Sequence, residues 1–271
     1  MQNFDELNAR GLVLVGCGRM GGAMLRGWLA RGLDAGAVTV IDPRLAPEWQ
    51  DKGLRVNAAL PANPAVLVLA VKPQMMADAL GQVPQLADTL VISVAAGTTI
   101  AAFEAVFPQA PIVRVMPNTP AAIGQGISAM IGNARASDAD LALAGALMAA
   151  VGRVVRLETE DQMDAVTALS GSGPAYVFHM IEAMAAAGEA QGLSPELALD
   201  LARATVAGAG ALAVHEDADP AVLRENVTSP GGTTAAGLRE LMDADHGLPP
   251  LMARTIAAAA ERGRQLGRGE A

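Results

Sequence analysis

Six residues constrain this chain more than any others: Gly16-Cys17-Gly18-Arg19-Met20-Gly21, which directly follow the apolar run Leu12-Val13-Leu14-Val15 and open a helical pattern. A G-x-G-x-x-G pattern means little by itself, but between a buried strand and a helix it is specific. Gly16 permits the tight turn, Gly18 lets backbone approach a pyrophosphate, and Gly21 lets the helix pack against the strand. The phosphates then lie against unpaired N–H groups at the positive end of the helix. The alternative is a Gly-rich turn without a ligand, and the placement argues against it.

The residues around this loop fit an α/β domain. Apolar runs without alternation at 12–15, 38–41, 65–71, 90–95 and 112–116 are separated by helical stretches, the first at 20–31. Such runs predict a parallel sheet covered on both faces. Two further strands are expected at 126–131 and 153–157, flanking a helix at 138–150. After about residue 160 the β pattern stops. Helices are expected at 174–191, from Ser194-Pro195-Glu196 to about Val214, and at 220–227, 235–242 and 250–266. Ser194 is placed to cap its helix, with Pro195 at the first helical position. The expected architecture is α/β followed by all-α, with a dinucleotide-binding domain over 1–158 and a helical domain over 159–271.

Composition narrows the function classes. A formal net charge of −9 with no basic block argues against a nucleic-acid partner. No segment reaches the roughly 18 uninterrupted apolar residues of a membrane span, and the acidic, polar start does not read as a signal peptide. One cysteine excludes an intramolecular disulfide. These features suggest a cytoplasmic enzyme. No HExxH, CxxC or paired-carboxylate cluster points to a metal, and no Gly-x-Ser-x-Gly points to a serine hydrolase. Each of the three histidines reads as a packing or surface residue.

A carboxylate is expected about 20 positions beyond the glycine loop, on the ribose hydroxyls. Asp42 stands there, although a turn residue before Pro43 is an equal reading. Arg44 is placed to pair with a 2′-phosphate, so the two side chains pull nucleotide choice in opposite directions. Cys17, beside a helix N-terminus, is a candidate for a lowered pKa, but with no base nearby it reads as a small loop residue.

Further motifs stand in a fixed order. Ala70-Val71-Lys72-Pro73 follows the third apolar run, Ser93-Val94-Ala95-Ala96-Gly97 the fourth and Arg114-Val115-Met116-Pro117-Asn118-Thr119-Pro120 the fifth. In the helical half stand the stretch from Asp164 to Tyr176, with Ser170-Gly171-Ser172-Gly173-Pro174, and Ser229-Pro230-Gly231-Gly232-Thr233-Thr234. In order and approximate spacing these resemble the pyrroline-5-carboxylate reductases over almost the whole chain. One motif is modestly specific; the five together with the loop are highly specific.

The resemblance implies reduction of 1-pyrroline-5-carboxylate to proline, the last step of proline biosynthesis, with NADP(H) preferred and NAD(H) also accepted. It implies that Asn57, Val71, Lys72 and Ala96 line the nicotinamide nucleotide, that Cys17, Arg19 and Met20 contribute loop backbone, and that Asn226 reaches the cofactor from the helical domain. Thr233 and Thr234 would hold the cyclic imino acid, with Glu160 nearby. A homodimer is implied, and rings of dimers beyond it. Position 19 departs from the family: Arg stands where many members carry Asn.

The residues themselves support part of this. Gly231 and Gly232 with Pro230 preclude a regular helix, yet a helix follows, so N–H donors and two hydroxyls meet at its mouth. A small carboxylate needs such a cradle, and a Gly-rich helix connection is the alternative. Thr234 is the best candidate for a polar contact at the imine nitrogen. The SGSGP stretch reads either as a second anion nest or as a close helix connection, and the structural role is favoured for Gly171 and Gly173. The helix over 201–214 is apolar nearly all round, which predicts burial against another subunit. A 3-hydroxy-acid dehydrogenase would carry a Lys in 174–191, and none is there. A nucleotide-sensing protein without catalysis would leave the threonine cradle unused.

Overall fold

A computed structural model describes residues 4–81, 83, 84, 86, 88–268 and 270. The chain divides into two compact units. One is built on the residues up to Gly171 together with the chain from Ala259 onward, and the other is Ser172–Ala258.

The first unit contains α1 (Asp5–Arg10), β1 (Leu12–Val15), α2 (Arg19–Ala30), β2 (Val38–Ile41), β3 (Arg55–Val56), β4 (Val66–Leu69) and α3 (Met76–Leu80). It continues with β5 (Leu90–Ser93), α4 (Ile100–Val106), β6 (Ile112–Met116), β7 (Gly126–Gly132), α5 (Asp138–Met148), β8 (Gly152–Arg156) and α6 (Gln162–Val166). The strands form one sheet in the order β3-β2-β1-β4-β5-β6-β7-β8. The apolar runs are continuous because both faces are covered. Leu12, Leu14, Val38, Val40, Val66 and Val68 enter one core, while Val13, Val15, Leu67 and Leu69 enter the other. β2 and β4 flank β1 on opposite sides, so the connections leaving β1 diverge from those of its neighbours. A crevice opens there, at the carboxyl ends of the strands.

The sheet departs from the expected all-parallel form. β7 runs antiparallel to β6, and β8 then pairs parallel to β7. The connection between β6 and β7, residues 117–125, is shorter than the dozen or so residues that a parallel crossover requires. At the β7–β8 start, a side chain on Gly152 (φ 147°) would overlap the backbone of Gly126. Strands β4 and β5 each end two residues earlier than the apolar runs suggest. The residues left over, Ala70, Val71, Val94 and Ala95, belong to the connections at the crevice.

A wide helical turn of the π type, Thr167–Gly171, follows α6. A Cβ on Gly171 would lie 2.5 Å from Met116 Cε, the far end of a flexible side chain that can move aside. A Cβ on Gly173 would meet nothing within 4 Å. Packing thus crowds Gly171 alone of the two, and against a side chain that can yield.

The second unit holds α7 (Gly173–Ala190), α8 (Pro195–His215), α9 (Pro220–Asn226), α10 (Thr233–Leu241) and most of α11 (Leu248–Gly267). Helices α7 and α8 form a hairpin packed through Ala185, Ala198 and Ala202. Ser194 caps α8 by accepting from the Leu197 N–H at 3.3 Å. Helix α8 is long and apolar enough to cross a membrane by length and composition, and only 11% of that window is buried within the chain. Phe178, Leu201, Leu212 and Val214 are among its exposed apolar residues or those of α7.

Candidate active site

The glycine loop is shaped by contacts that leave no room for side chains. Gly16 has φ 90°, and a Cβ on it would stand 2.8 Å from the Ala70 carbonyl oxygen at the end of β4. A Cβ on Gly21 would overlap the Gly16 carbonyl oxygen, which makes glycine at 21 the condition for helix α2 to start where it does. Gly18, by contrast, faces open space: a Cβ there would meet nothing within 4 Å. A backbone that is tight on the protein side and bare on the solvent side fits the cradle of a dinucleotide pyrophosphate. Helix α2 begins just after Gly18 with neither a side-chain cap nor an acidic residue in its first turn. Its positive end is thus left for an anion.

A cavity of about 400 Å³ lies over this loop. Of the residues singled out from the sequence, Gly16, Gly18, Asp42, Arg44, Asn57, Val71 and Lys72 line it. Met75, Asp78 and Ala79 line it too. Met75 comes from the short helical turn after Lys72, and Asp78 and Ala79 from α3, neither of which the motif itself flagged. Cys17 and Gly21 are buried, and Arg19 and Met20 form the start of α2. Ala96 is half-buried in the connection after β5 and does not line this cavity.

Cys17 is not an activated thiol. Burial, reinforced by the carboxylates of Asp42 and Glu48 and only partly opposed by Arg26, pushes its pKa up to about 12. The lowered value considered for a helix N-terminus does not arise, because the thiol sits in the core beneath the loop.

Glu160 occupies a junction of three segments. Its Oε1 accepts from Arg114 Nη1 at 2.6 Å and from the Ile100 N–H at 2.8 Å. Arg114 lies on β6 with 5% of its side chain exposed, whereas Glu160 retains 29%. One carboxylate oxygen therefore neutralises a buried guanidinium and ties down the start of α4, next to the Ala96-Gly97 connection. Asn118 makes a comparable tie. Its Oδ1 accepts from the Ile127 N–H at 2.9 Å, and its Nδ2 faces Ser170 Oγ at 3.4 Å.

In the second unit, α10 begins at Thr233, two residues before the expected start, so both threonines lie in its first turn. Gly231 takes φ 71°, which lets the chain reverse into the helix. Gly232 caps α10 with no side-chain hydrogen bond, and the first turn holds no acidic residue. Thr233 and Thr234 are exposed, as is Asn226 at the end of α9. Donors of the helix mouth and two hydroxyls are thus gathered in one place. Among the described residues, no group of three or more His, Cys, Asp or Glu is placed to hold a metal.

A parallel-dominated sheet with a glycine-lined crevice at its switch point, followed by a helical unit, defines a Rossmann-type pyridine-nucleotide oxidoreductase. Residues 12–97 match the family model described as "NADP oxidoreductase coenzyme F420-dependent", and residues 160–266 match "Pyrroline-5-carboxylate reductase dimerisation". The pyrroline-5-carboxylate reductase of Pseudomonas aeruginosa is 40% identical over 264 residues, covering 94% of this chain and 96% of that one. A pyrroline-5-carboxylate reductase structure from Coxiella burnetii aligns with a TM-score of 0.84 at 33% identity, covering 95% of this chain and 98% of that one. The Plasmodium falciparum pyrroline carboxylate reductase with NADP bound aligns at 0.83 and 29%, covering 96% and 99%. This chain belongs to the pyrroline-5-carboxylate reductase family.

Proposed function

We propose that this protein reduces 1-pyrroline-5-carboxylate to L-proline with NADPH, and with NADH as a second donor. The observation that carries the reading is the whole-length relationship to the Pseudomonas aeruginosa enzyme, in a chain whose glycine cradle is sterically intact. When bound, the reduced nicotinamide supplies a hydride to the C=N carbon; the imine nitrogen takes a proton, and the oxidised nucleotide and proline leave.

The protein's share of this chemistry is orientation. Gly16, Gly18 and the start of α2 hold the pyrophosphate, while Val71 and Lys72 line the nucleotide cavity. Arg44 is placed for a 2′-phosphate, and Asp42 for ribose hydroxyls. The mouth of α10 receives the substrate carboxylate, with a helix-end contribution of roughly 0.3–1 kcal/mol that grows as water is excluded. Thr234 turns its hydroxyl to the imine nitrogen, and Glu160 and Asn226 complete the set carried over from the family. A protonated imine is already electrophilic, so positioning substitutes for a strong acid or base. Residues 1–158 form the nucleotide-binding part and 159–271 the part that binds substrate and dimerises, with the apolar surface of α7 and α8 covered by a second copy. The setting is cytoplasmic, with no nucleic acid or membrane as partner.

Purified protein given pyrroline-5-carboxylate and NADPH should show loss of absorbance at 340 nm with formation of proline. Folded protein that leaves NADPH unoxidised refutes the assignment. Thr234→Ala should raise the KM for the imino acid or lower kcat by about tenfold, the worth of one lost hydrogen bond in a closed site. Its cofactor affinity should stay within twofold of wild type. Collapse of cofactor affinity with intact substrate parameters would show that the roles are assigned to the wrong residues.

A further inference from the structure

Asn57 lines the nucleotide cavity, yet its side chain is occupied by protein. Its Oδ1 accepts from the Asp42 N–H at 2.9 Å, and its Nδ2 donates to the Asp42 carbonyl oxygen at 3.0 Å. Its own N–H donates to the Val40 carbonyl at 2.8 Å. β3 pairs with β2 only at Arg55 and Val56, and the Asn57 amide continues that ladder by one residue, as a side-chain copy of a strand pair. The residue takes φ 47° to do so, a left-handed conformation that asparagine tolerates better than most side chains.

The backbone pinned in this way carries the Asp42 carboxylate. Both of its oxygens accept backbone N–H groups: Oδ2 from Cys17 at 2.7 Å and Oδ1 from Arg44 at 2.8 Å. Just before Cys17, the Gly16 N–H is bonded to the Ile41 carbonyl at 2.9 Å. Two successive donors of the glycine loop are thus committed to the end of β2, one to a carbonyl and one to a carboxylate. Gly18 is the first loop residue left to face a phosphate. The position of the loop depends on where Asp42 sits, and the position of Asp42 depends on Asn57.

We infer that Asn57 is a positioning residue: it acts on the dinucleotide through Asp42, setting the distance of the glycine loop from β2, and its amide is not itself a reader of the nucleotide. This rests on the cofactor reading above. Because Asn57 carries no charge and leaves that of Asp42 in place, its loss should weaken NADPH and NADH alike. Because it acts only through Asp42, its loss should matter little once the Asp42 carboxylate is gone.

A double-mutant cycle tests this, with affinities for NADPH and NADH measured by nucleotide fluorescence in the absence of substrate. Asn57→Gly suits the cycle because glycine accepts the left-handed backbone without strain, so the variant loses only the amide. The expected result is a rise of about tenfold in Kd for each nucleotide, the worth of one or two lost hydrogen bonds, with their ratio unchanged within twofold. In turnover the loss should fall on the cofactor KM more than on kcat. In an Asp42→Ala background the same change should cost less than about twofold, the signature of residues acting as one unit. An undiminished tenfold loss in that background would overturn the inference, since Asn57 would then touch the nucleotide directly. No loss in the single variant, or a loss confined to one nucleotide, would overturn it as well. Wild-type protein that binds neither nucleotide would instead overturn the cofactor reading on which it rests.

Discussion

Gly21→Ala should raise the Kd for NADPH by at least about 100-fold, close to 2.7 kcal/mol. The added methyl group would overlap the carbonyl oxygen of Gly16. Both partners are backbone, so no flexible side chain can yield. Relief requires either that α2 move off β1 or that the loop move toward β4. The second route is narrow, since Gly16 lies so near Ala70 that a Cβ on it would stand 2.8 Å from that carbonyl oxygen. Helix α2 must therefore shift and carry its N-terminal donors out of register with the pyrophosphate. The measurement is a fluorescence titration, with circular dichroism to show that the variant is folded. A change below threefold would mean that the helix adjusts freely and that the close approach does not set affinity.

Glu160→Ala should destabilise the protein by about 3 kcal/mol, because removing one partner of a buried pair leaves the other charge uncompensated. Arg114 has 5% of its side chain exposed, and water entering where Glu160, 29% exposed, has been cut back offsets only part of the lost charge. The Ile100 N–H loses its acceptor at the same stroke. Glu160→Gln keeps an acceptor for both donors and should lose about half as much. Arg114→Met in the Glu160→Ala background should recover most of the stability, as an apolar side chain needs no counter-charge. Urea denaturation of the four proteins gives the comparison. If Glu160→Ala unfolds at the wild-type midpoint, the junction contributes nothing to stability, and the carboxylate is free for a role at the substrate alone.

The fold was legible wherever one local signal sufficed. Apolar runs bounded by turns located every strand of the first unit except β3, and Ser194-Pro195 located the start of α8. The glycine loop was legible in detail because each glycine answers a separate steric demand. The direction of β7 was also open to reading, since a nine-residue link cannot carry a crossover helix, but apolar patterning is blind to strand direction and suggested a uniform sheet. α1, β3, α3, α4 and α6 were not anticipated. They are short, and their stability comes from packing, which no window of sequence displays.

The candidate site was legible as a set of residues and not as a set of bonds. Seven of the positions chosen from motifs line one cavity. Nothing in the order of residues shows that Asn57 is bonded to Asp42, fifteen positions earlier, or that Glu160 meets Arg114 and Ile100. The first pairing arises because parallel β2 and β3 bring their carboxyl ends side by side, and the second because the chain after β8 folds back against β6 and the start of α4. The same reason defeats any reading of Cys17 from its neighbours in sequence: the helix end that would lower its pKa is adjacent in the chain, whereas the burial that raises it is a property of the assembled core.

Helix α11 begins in the second unit and finishes in the first. Its last turns lie against the rest of the first unit: a Cβ at Gly263 would come 3.0 Å from Asp164 Oδ1, and one at Gly97 would come 3.3 Å from Leu266. Translation imposes an order on this arrangement. The ribosome delivers the sheet and its glycine loop first, but the helix end that packs beside the Gly97 connection emerges only after the intervening second unit. At roughly 5–20 residues per second, that gap of some 90 residues amounts to about 5–18 s. During that interval the nascent sheet holds its strands without its final cover, so the surface beside Gly97 is the part of the newborn chain that most needs shelter from neighbouring polypeptides.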